Sequence, residues 1–206
     1  MLVLAELFLY TITRSSNEDD QIHSYHKSVH HSFFYILKIY YYCNSNQSPC
    51  IVSSIKRTSS DDQNFITLVI LLDAELAVRD GTDHTFYAQF NKIDMLKHCI
   101  VVFDGDQPIA CGAIRALDEE SMEIKRMYVH PLSRKKGLAT LILNELERWS
   151  SELGYKRCVL ETGMKQPEAI ALYQKNGYHR VPNYGPYIGV DNSLCFMKIV
   201  SSTFQI

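Results

Sequence analysis

The chain has 206 residues, 46% of them hydrophobic and 21% charged, with a formal net charge of −2. That is room for one domain of ordinary size plus an extension. It excludes a global basic field of the kind that draws nucleic acid or an anionic membrane surface. Cysteines at positions 43, 50, 99, 111, 158 and 195 form no CxxC pair, and no Cys/His set has zinc spacing. Cys99, Cys111, Cys158 and Cys195 lie in or beside apolar runs, which reads as buried thiols in a reducing, cytoplasmic compartment, with no metal expected.

Residues 1–60 differ in character from the rest and read as an N-terminal extension, disordered or outside the fold, with the domain proper at 61–206. They contain no glycine and carry His23, His26, His30 and His31. No carboxylate or cysteine completes a metal set around these histidines. The apolar start lacks a positive n-region and carries Glu6, which argues against a signal peptide. The run SFFYILKIYYYC contains Lys38 and falls short of the ~20 residues a membrane span needs. A short membrane-touching arm is the alternative reading. The segment CNSNQSPCIVSSIKRTSSDDQN, Ser-rich and broken by Pro49, reads as a linker.

Asp61 and Asp62 are N-cap candidates for an amphipathic helix over about 62–79, ended by Gly81. HTFYAQFNKIDML reads as a second short helix. HCIVVFD and IACGAIRAL flank a DGDQP turn and form an expected antiparallel hairpin. MEIKRMYVH is the next strand. Residues 137–153 form a helix with Leu138, Leu141, Ile142, Leu146 and Trp149 inward, closed by Gly154. KRCVLET is a strand. QPEAIALYQKNGY is a helix with Pro167 in its first turn and Gly177 past its end, and SLCFMKIV is a final strand. This order predicts an α/β (α+β) domain with a mixed sheet covered by helices.

Between the strand ending near His130 and the helix starting at Gly137 lies Arg134-Lys135-Lys136-Gly137-Leu138-Ala139-Thr140. A helix N-terminus offers unpaired N–H groups and partial positive charge. Gly137 lets backbone approach a ligand, Ala139 keeps the next turn small, and the basic side chains add charge. The pattern suits a diphosphate, yet neither GxxxxGK[ST] nor GxGxxG is present.

Arg134, Gly137 and Ala139 fill a pattern, [RQ]-x-x-G-x-[GA], that resembles the hallmark of the GNAT N-acetyltransferase superfamily. EIKRMYV, residues 123–129, is similar to that family's fourth strand. EAIALYQKNGY resembles its A-x-x-L-Y-x-x-x-G-[FY] segment, with Ala169, Leu172, Tyr173, Gly177 and Tyr178 in register. The likeness spans about residues 65–200. One departure stands out: Gln166 occupies a position where many members carry Asn.

The resemblance implies a mostly antiparallel sheet splayed between strands 4 and 5, with helices on both faces and acetyl-CoA as co-substrate. It implies that backbone at Met127, Tyr128 and Val129 holds the pantetheine arm. The loop from Arg134 through Lys135, Lys136, Gly137, Leu138 and Ala139 to Thr140 would bind the diphosphate, with Gln166 and Ala169 completing the coenzyme site. Glu123 is the implied base, with Glu161 the alternative, and Tyr173 the implied acid. Tyr173 at helical spacing with Ala169 and Ile170 also reads as an ordinary core residue.

Tyr87, Asn91, Glu161, Tyr184 and Tyr187, with Asp191 nearby, suit a small cationic amine. The expected function is direct, ternary-complex acetyl transfer to a primary amine of a small molecule. A non-catalytic acyl-CoA-binding module and a peptide N-acetyltransferase are the alternatives. A homodimer paired through the final strand is a further expectation.

Overall fold

The computed structural model describes residues 54–94 and 96–200. The chain divides between Pro49 and Cys50 into two units, and all described residues belong to the second. The four N-terminal histidines, Cys43 and Cys50 lie outside the described residues.

Seven strands form one sheet in the order β1-β2-β3-β4-β5-β7-β6. They are β1 (Ser54–Thr58), β2 (His98–Asp104), β3 (Gln107–Ala116), β4 (Ser121–Val129), β5 (Arg157–Gly163), β6 (His179–Val181) and β7 (Ser193–Ile199). The helices are α1 (Gln63–Asp80), α2 (His84–Ala88), α3 (Leu138–Glu152) and α4 (Pro167–Lys175). All pairings are antiparallel except β4 with β5. That one parallel pair closes at Ser121, Met122 and Glu123 only, so the strands part from Ile124 onward. The mixed sheet, its split and its helix-covered faces match the expected architecture.

Alternation along β2 sets the two faces. Cys99 and Val101 pack with Phe65, Leu68, Val69 and Leu72 of α1. Ile100 and Val102 pack with Leu138, Ile142, Leu143 and Leu146 of α3. Asp62 caps α1, its Oδ1 accepting from the N–H groups of Asn64 (2.8 Å) and Phe65 (3.4 Å). At Gly112 the α3 face comes so close that an added Cβ would sit 2.7 Å from Ile142 Cγ2 and 2.8 Å from Met127 Sδ. Opposite Gly112, β4 carries one extra residue, because Cys111 pairs with Tyr128 and Ala113 with Lys125. Arg126 in this bulge has φ 57°, a strained left-handed value for a non-glycine residue.

The fold begins earlier than composition suggested. Residues 54–58, read as linker, are an edge strand paired along its whole length with β2. Its apolar signal is a single residue, Ile55, packed against the α3-side core. Three further contacts, all made by Arg57, hold it. Arg57 Nε donates to Glu145 (2.8 Å) and its Nη1 to Glu152 (2.6 Å), with the guanidinium 4.5 Å from the Trp149 ring centroid. Glu145 is thereby buried on a helix face that hydrophobic periodicity assigned to Leu, Ile and Trp alone. The three-residue β6 also escaped sequence reading. It covers the outer edge of β7 at residues 195–197, the edge expected to pair across a dimer.

Candidate active site

The split between β4 and β5 leaves backbone that no neighbouring strand can satisfy, and α3 begins beside it. Gly137 initiates α3 at φ 81°, ψ 0°, with no side chain capping the helix. Lys135 is also left-handed, at φ 64°. The free N–H groups at this end are a ready anion site. A cleft of about 530 Å³ runs from here along β4 to α4, with Leu72 and Leu76 of α1 as its third wall.

Eleven of the twelve residues expected to hold coenzyme line this cleft: Met127, Tyr128, Val129, Arg134, Lys135, Gly137, Leu138, Ala139, Thr140, Gln166 and Ala169. Lys136 does not. It sits between two left-handed residues and is carried out to solvent. Gln166, in the Asn position of the resemblance, still faces the cleft.

Arg134 is not a free cation here. Its Nε donates to the Val129 carbonyl (2.9 Å) and its Nη2 to Glu75 of α1 (2.5 Å). Glu75 also meets Arg79 (2.9 Å), and Arg79 donates to Glu168 at the start of α4 (2.9 Å). Arg134 holds the Glu75 carboxyl below its usual range, and Arg79 does the same for Glu168. Sequence reading missed Glu75, Arg79 and Glu168, which look like solvated helix charges until α1 is docked over the cleft.

Leu72, Leu76, Met127 and Gln166 of the cleft wall also line a smaller cavity of about 90 Å³. Asp80, Tyr87, Asn91, Lys125, Glu161, Tyr173 and Tyr187 line it. Burial pushes the Glu161 carboxyl up to about 7. The Ser193 hydroxyl nearby and the charge of Lys125 oppose the rise, while Glu123 and Asp80 add to it. Its Oε1 is buried with no hydrogen-bond partner. Burial likewise raises the Tyr173 phenol well above 10. The ring packs on Tyr178 and Phe196, as the core reading expected, and Tyr173 also lines the cavity.

Glu123 faces elsewhere. It is 1% exposed, with its carboxylate against Arg115 Nη2 (2.7 Å), Lys125 Nζ (3.1 Å) and the Tyr184 hydroxyl (3.2 Å). It lines a separate cavity of about 200 Å³, with Tyr184, Phe90 and Arg115. Of the two carboxylates considered as base, only Glu161 reaches the space that Tyr173 lines. Tyr184 belongs with Glu123, Tyr187 lines both cavities, and Asp191 is exposed and lines neither. Asp80 and Lys125 were missed as site residues. In sequence they are a helix end and one member of a basic cluster.

A structure assigned as an acyl-CoA N-acyltransferase from Klebsiella pneumoniae superposes with a TM-score of 0.61 at 27% identity, over 71% of this chain and 97% of that one. An Elizabethkingia anophelis GNAT acetyltransferase with acetyl-CoA bound shares the fold at a TM-score of 0.52 and 16% identity, over 71% and 97%. An IAA acetyltransferase of Azospirillum brasilense is 38% identical over 92 residues, 44% of this chain and 59% of that protein. YsnE, an uncharacterized N-acetyltransferase of Bacillus subtilis, is 32% identical over 97 residues, 46% and 64%. The chain thus spans about six tenths of the length of these two curated relatives. The profile of the acetyltransferase (GNAT) family matches residues 68–178, more than half the chain, and the chain belongs to that family.

Proposed function

We propose that this chain is an acetyl-CoA-dependent N-acetyltransferase that acetylates a primary amine of a small molecule by direct attack within a ternary complex. The observation that carries the reading is the wall that the two spaces share at Leu72, Leu76, Met127 and Gln166. It sets the cleft with its uncapped helix start beside a small chamber lined by Glu161 and Tyr173. The cleft residues fit coenzyme A: the α3 N-terminus suits the diphosphate, and the β4 edge beyond Glu123, which β5 no longer pairs, suits the amide-bearing arm. When bound, the co-substrate supplies an activated acetyl thioester.

The chain's own residues do the rest. Glu161 accepts the proton that the acceptor ammonium loses. With a carboxyl poised at about 7, it is substantially ionised at neutral pH and still basic enough to take that proton. As the new C–N bond forms and the C–S bond breaks, the Tyr173 phenol donates its proton to the departing thiolate. Placement of the two reactants supplies much of the rate. Glu123 serves as an ionic anchor for Lys125 and Arg115 rather than as the base. The chamber's small volume, with Tyr87 and Tyr187 in its wall, favours a compact amine over a peptide.

The test is coenzyme A release from acetyl-CoA across a panel of amines, amino acids and peptides, with Glu161→Gln and Glu123→Gln beside the unaltered protein. Turnover of a small amine that collapses in Glu161→Gln and survives in Glu123→Gln supports the reading. Loss only in Glu123→Gln would reverse the assignment of base. Acetyl-CoA binding without turnover of any acceptor would favour a binding module.

A further inference from the structure

Resting on the reading of Glu161 as base, we propose that Ser193, backed by Tyr87, is a positioning residue that holds the Glu161 carboxylate with one oxygen presented to the acceptor amine. The β5–β7 register carries the geometry. Glu161 pairs with Cys195 and Gly163 with Ser193, so Glu161 and Ser193 are diagonal neighbours on one face. Gly163, directly opposite Ser193, has no side chain, which leaves room for the carboxylate to lie toward the hydroxyl.

Ser193 is a rigid donor. It is 1% exposed. Its N–H donates to Val190 O (3.1 Å), and its carbonyl accepts from Arg180 Nη2 (3.3 Å) and Asn183 Nδ2 (3.1 Å). Only the hydroxyl is left for the site. It lies 3.1 Å from the Tyr87 hydroxyl, on the same sheet face as the diagonally placed Glu161. A hydroxyl has one proton to give. An ionised carboxylate only accepts, so Ser193 donates to Glu161 and accepts from Tyr87. The chain therefore runs Tyr87 O–H to Ser193 O–H to carboxylate, leaving the buried Oε1 without a protein partner. Tyr87 is itself braced by Phe86 at 5.2 Å, whose ring meets Phe90, and Phe90 meets Tyr187.

The groups facing Glu161 come from every side: Asp80 of α1, Tyr87 of α2, Glu123 and Lys125 of β4, Tyr173 of α4, Tyr187 of the 185–187 turn and Ser193 of β7. Burial, Asp80 and Glu123 favour the protonated acid, while Ser193 and Lys125 favour the carboxylate.

Titration of ¹³C-glutamate-labelled protein by NMR reads this directly and needs no acceptor, with Glu161→Gln identifying the resonance. Ser193→Ala should raise the Glu161 midpoint by about half a unit or more. Tyr87→Phe should raise it less, the double variant no further than Ser193→Ala, and Ser193→Thr should restore it. With the best amine of the panel, Ser193→Ala should lower kcat/KM about tenfold while leaving KM for acetyl-CoA unchanged. A wild-type midpoint in Ser193→Ala would overturn the proposal. If Ser193→Ala fails to fold, Tyr87→Phe and Ser193→Thr carry the same comparison, and an unmoved midpoint in Tyr87→Phe then overturns it. Full turnover in Glu161→Gln would instead defeat the underlying choice of base. An inactive Glu161→Gln beside an unaltered Ser193→Ala would defeat only the positioning role.

Discussion

Replacing Glu161 with Gln should stabilise the protein at alkaline pH while it abolishes turnover. The carboxyl titrates at about 7 in the fold against an ordinary 4.5, chiefly because burial penalises its charge. A raised acid pKa means the folded state binds more protons than the unfolded chain between those values. Stability contributed by the protonated acid is therefore present below pH 4.5 and lost as pH rises to about 7. At 1.36 kcal/mol per unit the loss comes to about 3 kcal/mol above pH 8.

Gln keeps the shape and carries no charge to desolvate. The variant should match the unaltered protein near pH 4.5 and exceed it above pH 8 by about 2–3 kcal/mol, roughly 5–10 °C in melting temperature. Denaturant unfolding of both proteins at a series of pH values from 4.5 to 9 checks this. Two stability curves that run parallel across that range would refute the reasoning, since a constant offset carries no proton linkage. A Gln variant less stable above pH 8 would mean that the carboxylate is better satisfied in the fold than its unpartnered Oε1 indicates.

Gly112→Ala should cost about 1–3 kcal/mol by denaturant unfolding, because its Cβ meets Ile142 and Met127 inside ordinary contact distance. Arg57→Ala should cost about 1–3 kcal/mol and increase hydrogen exchange along β2. It leaves buried Glu145 with Arg148 as its remaining cation and loosens β1 from α3. Gly137→Asp should eliminate acetyl-CoA binding by calorimetry with little change in fold, as it sets a carboxylate and a strained φ at the α3 start.

Much of the molecule was legible in local sequence. Helices α1, α3 and α4 announce themselves through apolar spacing and the terminal glycines Gly81, Gly154 and Gly177, all at positive φ in the structure. The hairpin at Gly105 and the loop from Arg134 to Ala139 are likewise local signals, and eleven of the twelve residues expected to hold coenzyme line one cleft. β1 was not legible, because an edge strand with one half-buried apolar residue looks like linker. Arg57 and Glu145 lie 88 positions apart in sequence, and nothing local pairs them.

The choice of base shows the boundary most clearly. Glu123 and Glu161 both stand on strands flanking the split, and residue type cannot tell them apart. Packing does: Glu123 meets Arg115 and Lys125, whereas Glu161 is left beside Ser193 with an oxygen free. Local sequence determines what short-range hydrogen bonding and hydrophobic periodicity determine, which here means the helices, the turns and the glycine-led start of α3. Which buried carboxylate finds a counter-ion depends on side chains brought together from distant segments. Only the tertiary structure decided that, because desolvation and pairing act through space and not along the chain.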